Sequence, residues 1–179
     1  MIALLLLLAC PRPSAPEGSL GVGVGAEVVP RVEQSQVGPG PWHEVGGLYL
    51  EVPEGWRGWS DASGSLLLSL DHGATGARLE LWAFTASEEL PGPRPRPGCE
   101  VAFLDTARHR SVPLLDPAVI ASCEPLVSGG MRVTGWYGQV AGRELHLELL
   151  TPPGRSFEAQ TAAAPLLAGL GWEDPGQWR

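Results

Sequence analysis

Three ionisable residues with regular spacing, Glu144, His146 and Glu148, alternate with leucines in the second half of the chain. A period of two places them on one face of a β-strand, with their Cβ atoms on the order of 7 Å apart. Carboxylate and imidazole side chains in this arrangement could bind a divalent cation if another strand supplied a further ligand. The pattern favours a different structure, a solvated polar face above a buried row of leucines. We therefore predict neither a metal site nor a cofactor.

The other acids, bases and hydroxyls that could take part in catalysis are scattered along the sequence. Asp71 and His72 could form an acid/base pair with His109, and Ser60 or Ser128 offers a hydroxyl. No spacing joins them, and the aspartate is explained by the turn chemistry of Asp-His-Gly. Metalloprotease, serine-hydrolase and phosphate-loop motifs do not occur in the sequence. We predict that the protein is not an enzyme, with a hydrolase as the remaining alternative of this class.

Arginine supplies all twelve basic residues of the chain, and four of them lie close together in sequence. Guanidinium groups bind carboxylates and phosphates bidentately, so this cluster is a candidate site for a small anion. The alternative is that these residues keep a proline-rich loop solvated. The candidate ligand residues are Arg94, Arg96, Arg108 and Arg110.

Tryptophan is unusually frequent, with seven residues in the chain. Trp42, Trp56 and Trp59 cluster around the glycine-rich turn at 55–58. Exposed ring faces suit contacts with glycans or proteins, whereas buried rings would belong to the core. We take Trp56 and Trp59 as candidate ligand-binding residues.

The N-terminal residues 2–9 form an apolar run that ends at Cys10. The run is far shorter than the roughly 20 residues of a membrane-spanning helix. The sequence Leu7-Leu8-Ala9-Cys10 resembles the lipobox of bacterial lipoprotein signals, which implies cleavage before Cys10 and acylation of its thiol. No Lys or Arg precedes this cysteine, so the basic region of such a signal would lie upstream of Met1.

Two further cysteines remain when Cys10 carries lipid, and they form an even pair suited to an oxidising compartment. A disulfide between Cys99 and Cys123 would close a loop of about 25 residues and stabilise the domain by roughly 3 to 3.5 kcal/mol on the chain-entropy model. The alternative is a pair of buried free thiols.

The formal net charge of −8 disfavours nucleic acid and anionic membrane surfaces as partners. The expected partners are the membrane, through the lipid on Cys10, and another envelope protein. A domain held in the periplasm or at the cell surface is the predicted location.

Composition divides the chain into four segments. Residues 1–9 are the predicted signal peptide, and 10–41 form a flexible tether that begins at the lipidated cysteine and is rich in proline and glycine. Part of the tether, 21–29, could instead add an edge strand. A single domain is predicted at 42–172, followed by a tail at 173–179.

Alternating apolar residues predict an α+β domain, in which helices pack on a largely antiparallel sheet. Residues 65–84 and 131–150 are predicted hairpins, the second turning at Ala141-Gly142. We expect a short helix at 99–109, although a strand is also compatible. A C-terminal helix over 156–170, with Ser156 as its cap and Phe157, Ala164, Leu167 and Leu170 on one face, is interrupted by Pro165. The predicted strands are 47–52, 65–71, 77–84, 119–123, 131–140 and 143–150.

Two stretches carry a family resemblance. Leu50-Glu51-Val52-Pro53-Glu54-Gly55-Trp56, and the segment from Phe157 to Leu166-Leu167-Ala168-Gly169-Leu170-Gly171-Trp172, resemble the PsbP-like and DcrB-like α/β/α sandwich proteins. The resemblance implies a small extracytoplasmic lipoprotein domain that binds a partner or supports an assembly. The predicted function is thus a lipid-anchored, non-enzymatic binding or assembly module, with binding of a glycan or small anion through Trp and Arg as the alternative.

Overall fold

The computed structural model describes residues 34–86, 91–93, 98–105, 112–115 and 119–171, all within one compact unit, Val32–Arg179. The described residues form ten strands, one 3-10 helix and one α-helix. In chain order the elements are β1 (Ser35–Val37), β2 (Gly40–Val45), β3 (Leu48–Val52), β4 (Trp56–Ser60), β5 (Leu66–His72), β6 (Arg78–Thr85), β7 (Cys99–Asp105), η1 (Pro113–Leu115), β8 (Val119–Pro125), β9 (Arg132–Val140), β10 (Arg143–Thr151) and α1 (Ser156–Gly169).

Eight strands form one antiparallel sheet in the order β1-β4-β5-β6-β10-β9-β8-β7, while β2 and β3 form a separate hairpin. Strand β10 lies at the centre, where its nine residues pair with β9 and eight of them with β6. The predicted hairpins β5–β6 and β9–β10 are confirmed. The second turns at Ala141-Gly142, whose positive φ values of 49° and 76° fit the twist of a two-residue hairpin.

One face of the eight-stranded sheet, which we call the leucine face, contributes most of the core. Leu145, Leu147 and Leu149 of β10 lie beside Leu79 and Leu81 of β6, and all five are almost fully buried. Helix α1 adds Ala159, Ala163, Leu166 and Leu167 to the same core cluster, and the β2–β3 hairpin adds Val45, Leu48, Leu50 and Val52. Burial of each such leucine stabilises the domain by about 1.5 to 3 kcal/mol relative to an exposed side chain.

The predicted fold class holds only in outline. The antiparallel sheet and the C-terminal helix are confirmed, but the described residues contain a single α-helix, so the domain is mainly β. None of the helices in these ranges is long and apolar enough to cross a membrane.

The expected helix at 99–109 is wrong over its described part, because Cys99–Asp105 is the edge strand β7. Pairing with β8 decides its conformation, and a disulfide between Cys99 and Cys123 joins the two strands, with the Cα atoms 5.7 Å apart. This distance lies within the range that disulfide geometry requires. The predicted pairing of these cysteines is therefore confirmed.

Helix α1 is continuous through Pro165, and its buried face agrees with the predicted one only in part. Of the residues predicted to share this face, Leu167 and Leu170 are buried and Ala164 is exposed. Ala159, Ala163, Leu166 and Leu167 follow the helical spacing and face the sheet, whereas Phe157 is 80% exposed. Ser156 is the first helical residue and not its cap, since Arg155 occupies the cap position without a side-chain hydrogen bond. Both stripes have helical periodicity, so only packing against the sheet distinguishes them.

The sheet also begins before the predicted domain boundary. Strand β1, Ser35–Val37, lies inside the segment 10–41 assigned to the tether, and it pairs with β4. Residues 10–33 of the predicted tether, the signal peptide and the tail all lie outside the described residues.

Trp56 anchors the start of β4 to the helix. Its ring is fully buried, and its indole N–H donates to the carbonyl oxygen of Ala162 at 3.1 Å. The ring also stacks at a tilt on His72, with centroids 5.0 Å apart. Trp56 is therefore a core residue, and its predicted role at a ligand-binding surface is wrong.

Replacing this ring should destabilise the domain strongly. Trp56→Ala is expected to lower the free energy of unfolding by about 3 to 5 kcal/mol, because it removes a large buried side chain and leaves a cavity. Urea denaturation followed by circular dichroism measures the change. The control is Phe157→Ala, which deletes an exposed ring and should change stability by less than about 0.5 kcal/mol. Equal effects of the two variants would contradict the assignment of Trp56 to the core.

Candidate functional site

The second face of the eight-stranded sheet, which we call the polar face, carries ionisable side chains at its centre. Successive side chains of a strand point to opposite faces of the sheet. A residue therefore lies on the polar face when its neighbour in the strand points into the leucine face. The register places Trp82, His146 and Tyr137 side by side on three neighbouring strands. Glu80 and Glu148 lie opposite each other in the next row, and Phe84 and Glu144 in the row on the other side.

His146 lies at the centre of this face and is 2% exposed. One ring nitrogen, Nε2, is 2.5 Å from Oε1 of Glu144. The edges of two aromatic rings pack on the imidazole, with centroid distances of 4.9 Å to Phe84 and 4.8 Å to Tyr137. A hydrogen bond and two ring contacts thus fix the orientation of the imidazole.

The neighbouring carboxylates are also held by hydrogen bonds within the sheet. The hydroxyl of Tyr137 donates to Oε1 of Glu148 at 3.1 Å, and the indole N–H of Trp82 donates to Oε2 of Glu80 at 3.2 Å. We call the six residues that take part in these bonds the polar cluster. They are Glu80, Trp82, Tyr137, Glu144, His146 and Glu148.

A glycine makes the tyrosine bond sterically feasible. Gly135 pairs with Glu148 across β9 and β10, so the phenol ring of Tyr137 lies over a residue without a side chain. A Cβ atom at position 135 would lie 2.0 Å from the tyrosine hydroxyl oxygen. The hydroxyl therefore reaches Glu148 only because residue 135 is glycine.

The expectation of a solvated polar face on β10 is wrong, since Glu144, His146 and Glu148 are all at least nine-tenths buried. The aromatic side chains of β6 and β9 cause this burial, and they enter the same face through the strand register. Within the described ranges, no three His, Cys, Asp or Glu side chains are placed to hold a metal ion.

The catalytic candidates of the β4–β5 region have separate structural partners. Asp71 accepts a 2.8 Å bond from Arg78 Nε, and this bond raises the pKa of Arg78. His72 Nδ1 lies 2.9 Å from Thr75 Oγ1 within the β5–β6 turn. Ser60 is at the opposite end of the β4–β5 ladder from His72, so the two do not meet. His109 lies outside the described residues, and Ser128 lies in the β8–β9 loop.

Of the residues predicted to bind ligand, only Trp59 is found on a surface that the structure describes. It lies on the polar face opposite Ser69 and is partly exposed. The arginine candidates Arg94, Arg96, Arg108 and Arg110, together with Cys10, lie outside the described residues.

A groove at the β1 edge of the polar face was not predictable from the sequence. Its volume is about 820 Å³, and its walls are the segment 36–39 together with Arg57, Gly58, Asp71 and Gly73. A groove here requires β1 to pair with β4, and the Pro- and Gly-rich composition around β1 indicated a tether. A second cavity of about 350 Å³ lies near the start of α1, where Arg132 is paired with Glu124 at 2.7 Å.

Comparisons with known proteins yield a structural neighbour. No protein-family model matches the chain, and no curated protein does. Among solved structures, the solution structure of cyanobacterial PsbP (CyanoP) from Synechocystis is similar, with 14% sequence identity and a TM-score of 0.49. The alignment covers 87% of this chain and 98% of that protein. The similarity concerns backbone shape and assigns no function to any residue of this chain.

The geometry at Gly135 gives a test of the polar cluster. Gly135→Ala should displace the ring of Tyr137 and remove its bond to the buried Glu148, which lowers the free energy of unfolding by about 1 to 3 kcal/mol. Chemical denaturation measures this loss.

The control for this variant is Gly171→Ala, because a Cβ atom there meets nothing within 4 Å. Its effect should stay below about 0.5 kcal/mol. A Gly135→Ala variant as stable as this control would show that the Tyr137–Glu148 bond does not contribute to the fold.

Proposed function

We propose that the chain is a lipid-anchored protein of the cell envelope whose domain is a non-enzymatic binding or assembly module. The observation that carries this proposal is the contrast between two parts of the polar face. The ionisable side chains of the polar cluster are held by hydrogen bonds within the cluster, whereas the groove at the β1 edge is open and its lining includes the exposed polar residues Gln36, Arg57 and Asp71.

Internal bonding favours a structural role for the polar cluster over a catalytic one. A general acid or base must come within hydrogen-bond reach of a substrate. His146 is buried between two rings and bonded to Glu144, so a substrate would have to displace these contacts. A hydrolase that uses this histidine is therefore the less favoured function.

Export of the domain is supported by the Cys99–Cys123 disulfide, because such bonds persist in oxidising compartments. The lipobox-like sequence at 7–10 supports acylation of Cys10. A single lipid chain gives only marginal membrane binding, and a lipoprotein's multiple acyl chains would hold the domain stably at the membrane. The partner we expect there is another envelope protein.

Metabolic labelling with a fatty-acid analogue tests the anchor. The wild-type chain should incorporate the label and sediment with membranes, whereas Cys10→Ser should do neither, because it removes the thiol that accepts the lipid. Crosslinking in native membranes should then yield an adduct with an envelope protein that the Cys10→Ser variant loses.

The matched control is the double variant Cys99→Ser/Cys123→Ser, which removes the other two thiols and should keep the label. Label that remains on Cys10→Ser, or that disappears only from the double variant, would contradict acylation at Cys10. Absence of any crosslinked partner from correctly anchored protein would contradict an assembly role.

A further inference from the structure

The groove at the β1 edge is lined by an arginine, Arg57, and the ring of Trp59 adjoins it on the same strand. Arg57 and Trp59 are two residues apart on β4. Trp56 points into the core and bonds to α1, and successive side chains of a strand point to opposite faces, so Arg57 and Trp59 project from the polar face. Gln36 of β1 is exposed and pairs with Trp59. Arg57 and Gln36 line the groove, and Trp59 lies beside them on the same face, just outside the lining.

Arg57 is free to bind an anion. Its side chain is exposed and forms no hydrogen bond or ion pair with the residues in the described ranges. Its cross-strand neighbour Asp71 is bonded to Arg78 on the far side and forms no ion pair with Arg57. A guanidinium group without a carboxylate partner in the described ranges favours an anionic ligand.

The guanidinium group is suited to one kind of anion in particular. Its planar fork binds a carboxylate through two parallel N–H···O bonds. The partly exposed ring of Trp59 offers an apolar surface at a distance of about 7 Å along the strand, which suits the C–H face of a sugar ring next to that carboxylate. The amide of Gln36 can both donate to and accept from a hydroxyl group.

The groove is also rigid, which lowers the cost of ordering it around a ligand. Gly58 lies between Arg57 and Trp59, and a Cβ atom there would lie 1.9 Å from the carbonyl oxygen of Ser69. Strands β4 and β5 are thus in close contact below the groove. On the β1 side, Nε2 of His43 is bonded to the carbonyl oxygen of Gly38 at 2.9 Å and holds the wall in place.

We propose that this groove, together with the adjoining ring of Trp59, binds carboxylate-bearing sugar units of an acidic polysaccharide. Arg57 binds the carboxylate, Trp59 stacks on the sugar ring, and Gln36 bonds to a hydroxyl group. An acidic peptide could bind Arg57 through a carboxylate, but it has no sugar ring that could stack on Trp59. The inference rests on the proposed binding function and names the ligand class of the domain.

Isothermal titration of the full chain tests this inference with three probes. The first is an oligogalacturonate, the second is the same oligomer with its carboxylates methyl-esterified, and the third is an oligoglutamate peptide. The oligogalacturonate should bind, and the ester should bind at least about tenfold more weakly, because it cannot form charge-assisted bonds with Arg57. The peptide should bind more weakly than the acidic sugar.

Variants locate the binding site. Arg57→Gln and Trp59→Ala should each weaken oligogalacturonate binding by about tenfold or more while the circular dichroism spectrum and Tm stay close to the wild type. The matched controls are Arg155→Gln and Phe157→Ala, which change exposed residues at the start of α1, on the opposite side of the sheet. Both should bind as the wild type does.

Several results would overturn the proposal. They are absence of oligogalacturonate binding at millimolar concentration, equal binding of acid and ester, tighter binding of the peptide, or unchanged binding by Arg57→Gln. None of these results would contradict the lipid anchor, because acylation of Cys10 is measured by labelling alone. Loss of label from the wild type would instead contradict the proposed function and leave the sugar measurement unaffected.

Discussion

The pairing register of β10 with β6 and β9 is the constraint on which the rest of the domain depends. It directs Leu145, Leu147 and Leu149 towards α1 and Glu144, His146 and Glu148 towards the polar face. A slip of one residue would place two carboxylates and an imidazole beneath the helix and expose the leucines. Each leucine and each bond of the polar cluster therefore stabilises the same register, and the groove at β1 is positioned by the sheet that this register builds.

Features set by neighbouring residues were predictable from the sequence. The two hairpins follow from alternation and from the Ala141-Gly142 turn, since both are local signals. The burial of His146 was not predictable in this way, because the rings that cover it, Phe84 and Tyr137, come from other strands. The alternation of β10 alone is equally compatible with a solvated face. Strand β7 and part of the buried face of α1 were missed for a related reason, as pairing and packing between distant segments select one of two locally acceptable structures.

The candidate binding groove depends on a strand pairing that the composition of its first segment did not indicate. Strand β1 comes from a segment rich in Pro and Gly, and its pairing with β4 brings Gln36 next to Trp59. Trp59 was identified from its residue type, whereas Arg57 was overlooked because it belongs to no cluster of basic residues. Its availability follows from the ion pair that Asp71 makes with Arg78 instead. Charge pairing across strands thus determines which arginine can bind a ligand.

The most direct test of a structural polar cluster is a double-mutant cycle on Tyr137→Phe and Glu148→Leu, measured as free energies of unfolding in urea. Phenylalanine keeps the ring that packs on His146 and has no hydroxyl donor, and leucine keeps much of the side-chain volume and has no acceptor. A bond that contributes to the fold predicts a coupling energy of about 1 to 2 kcal/mol between the two changes. Additive effects within about 0.3 to 0.5 kcal/mol would contradict the account.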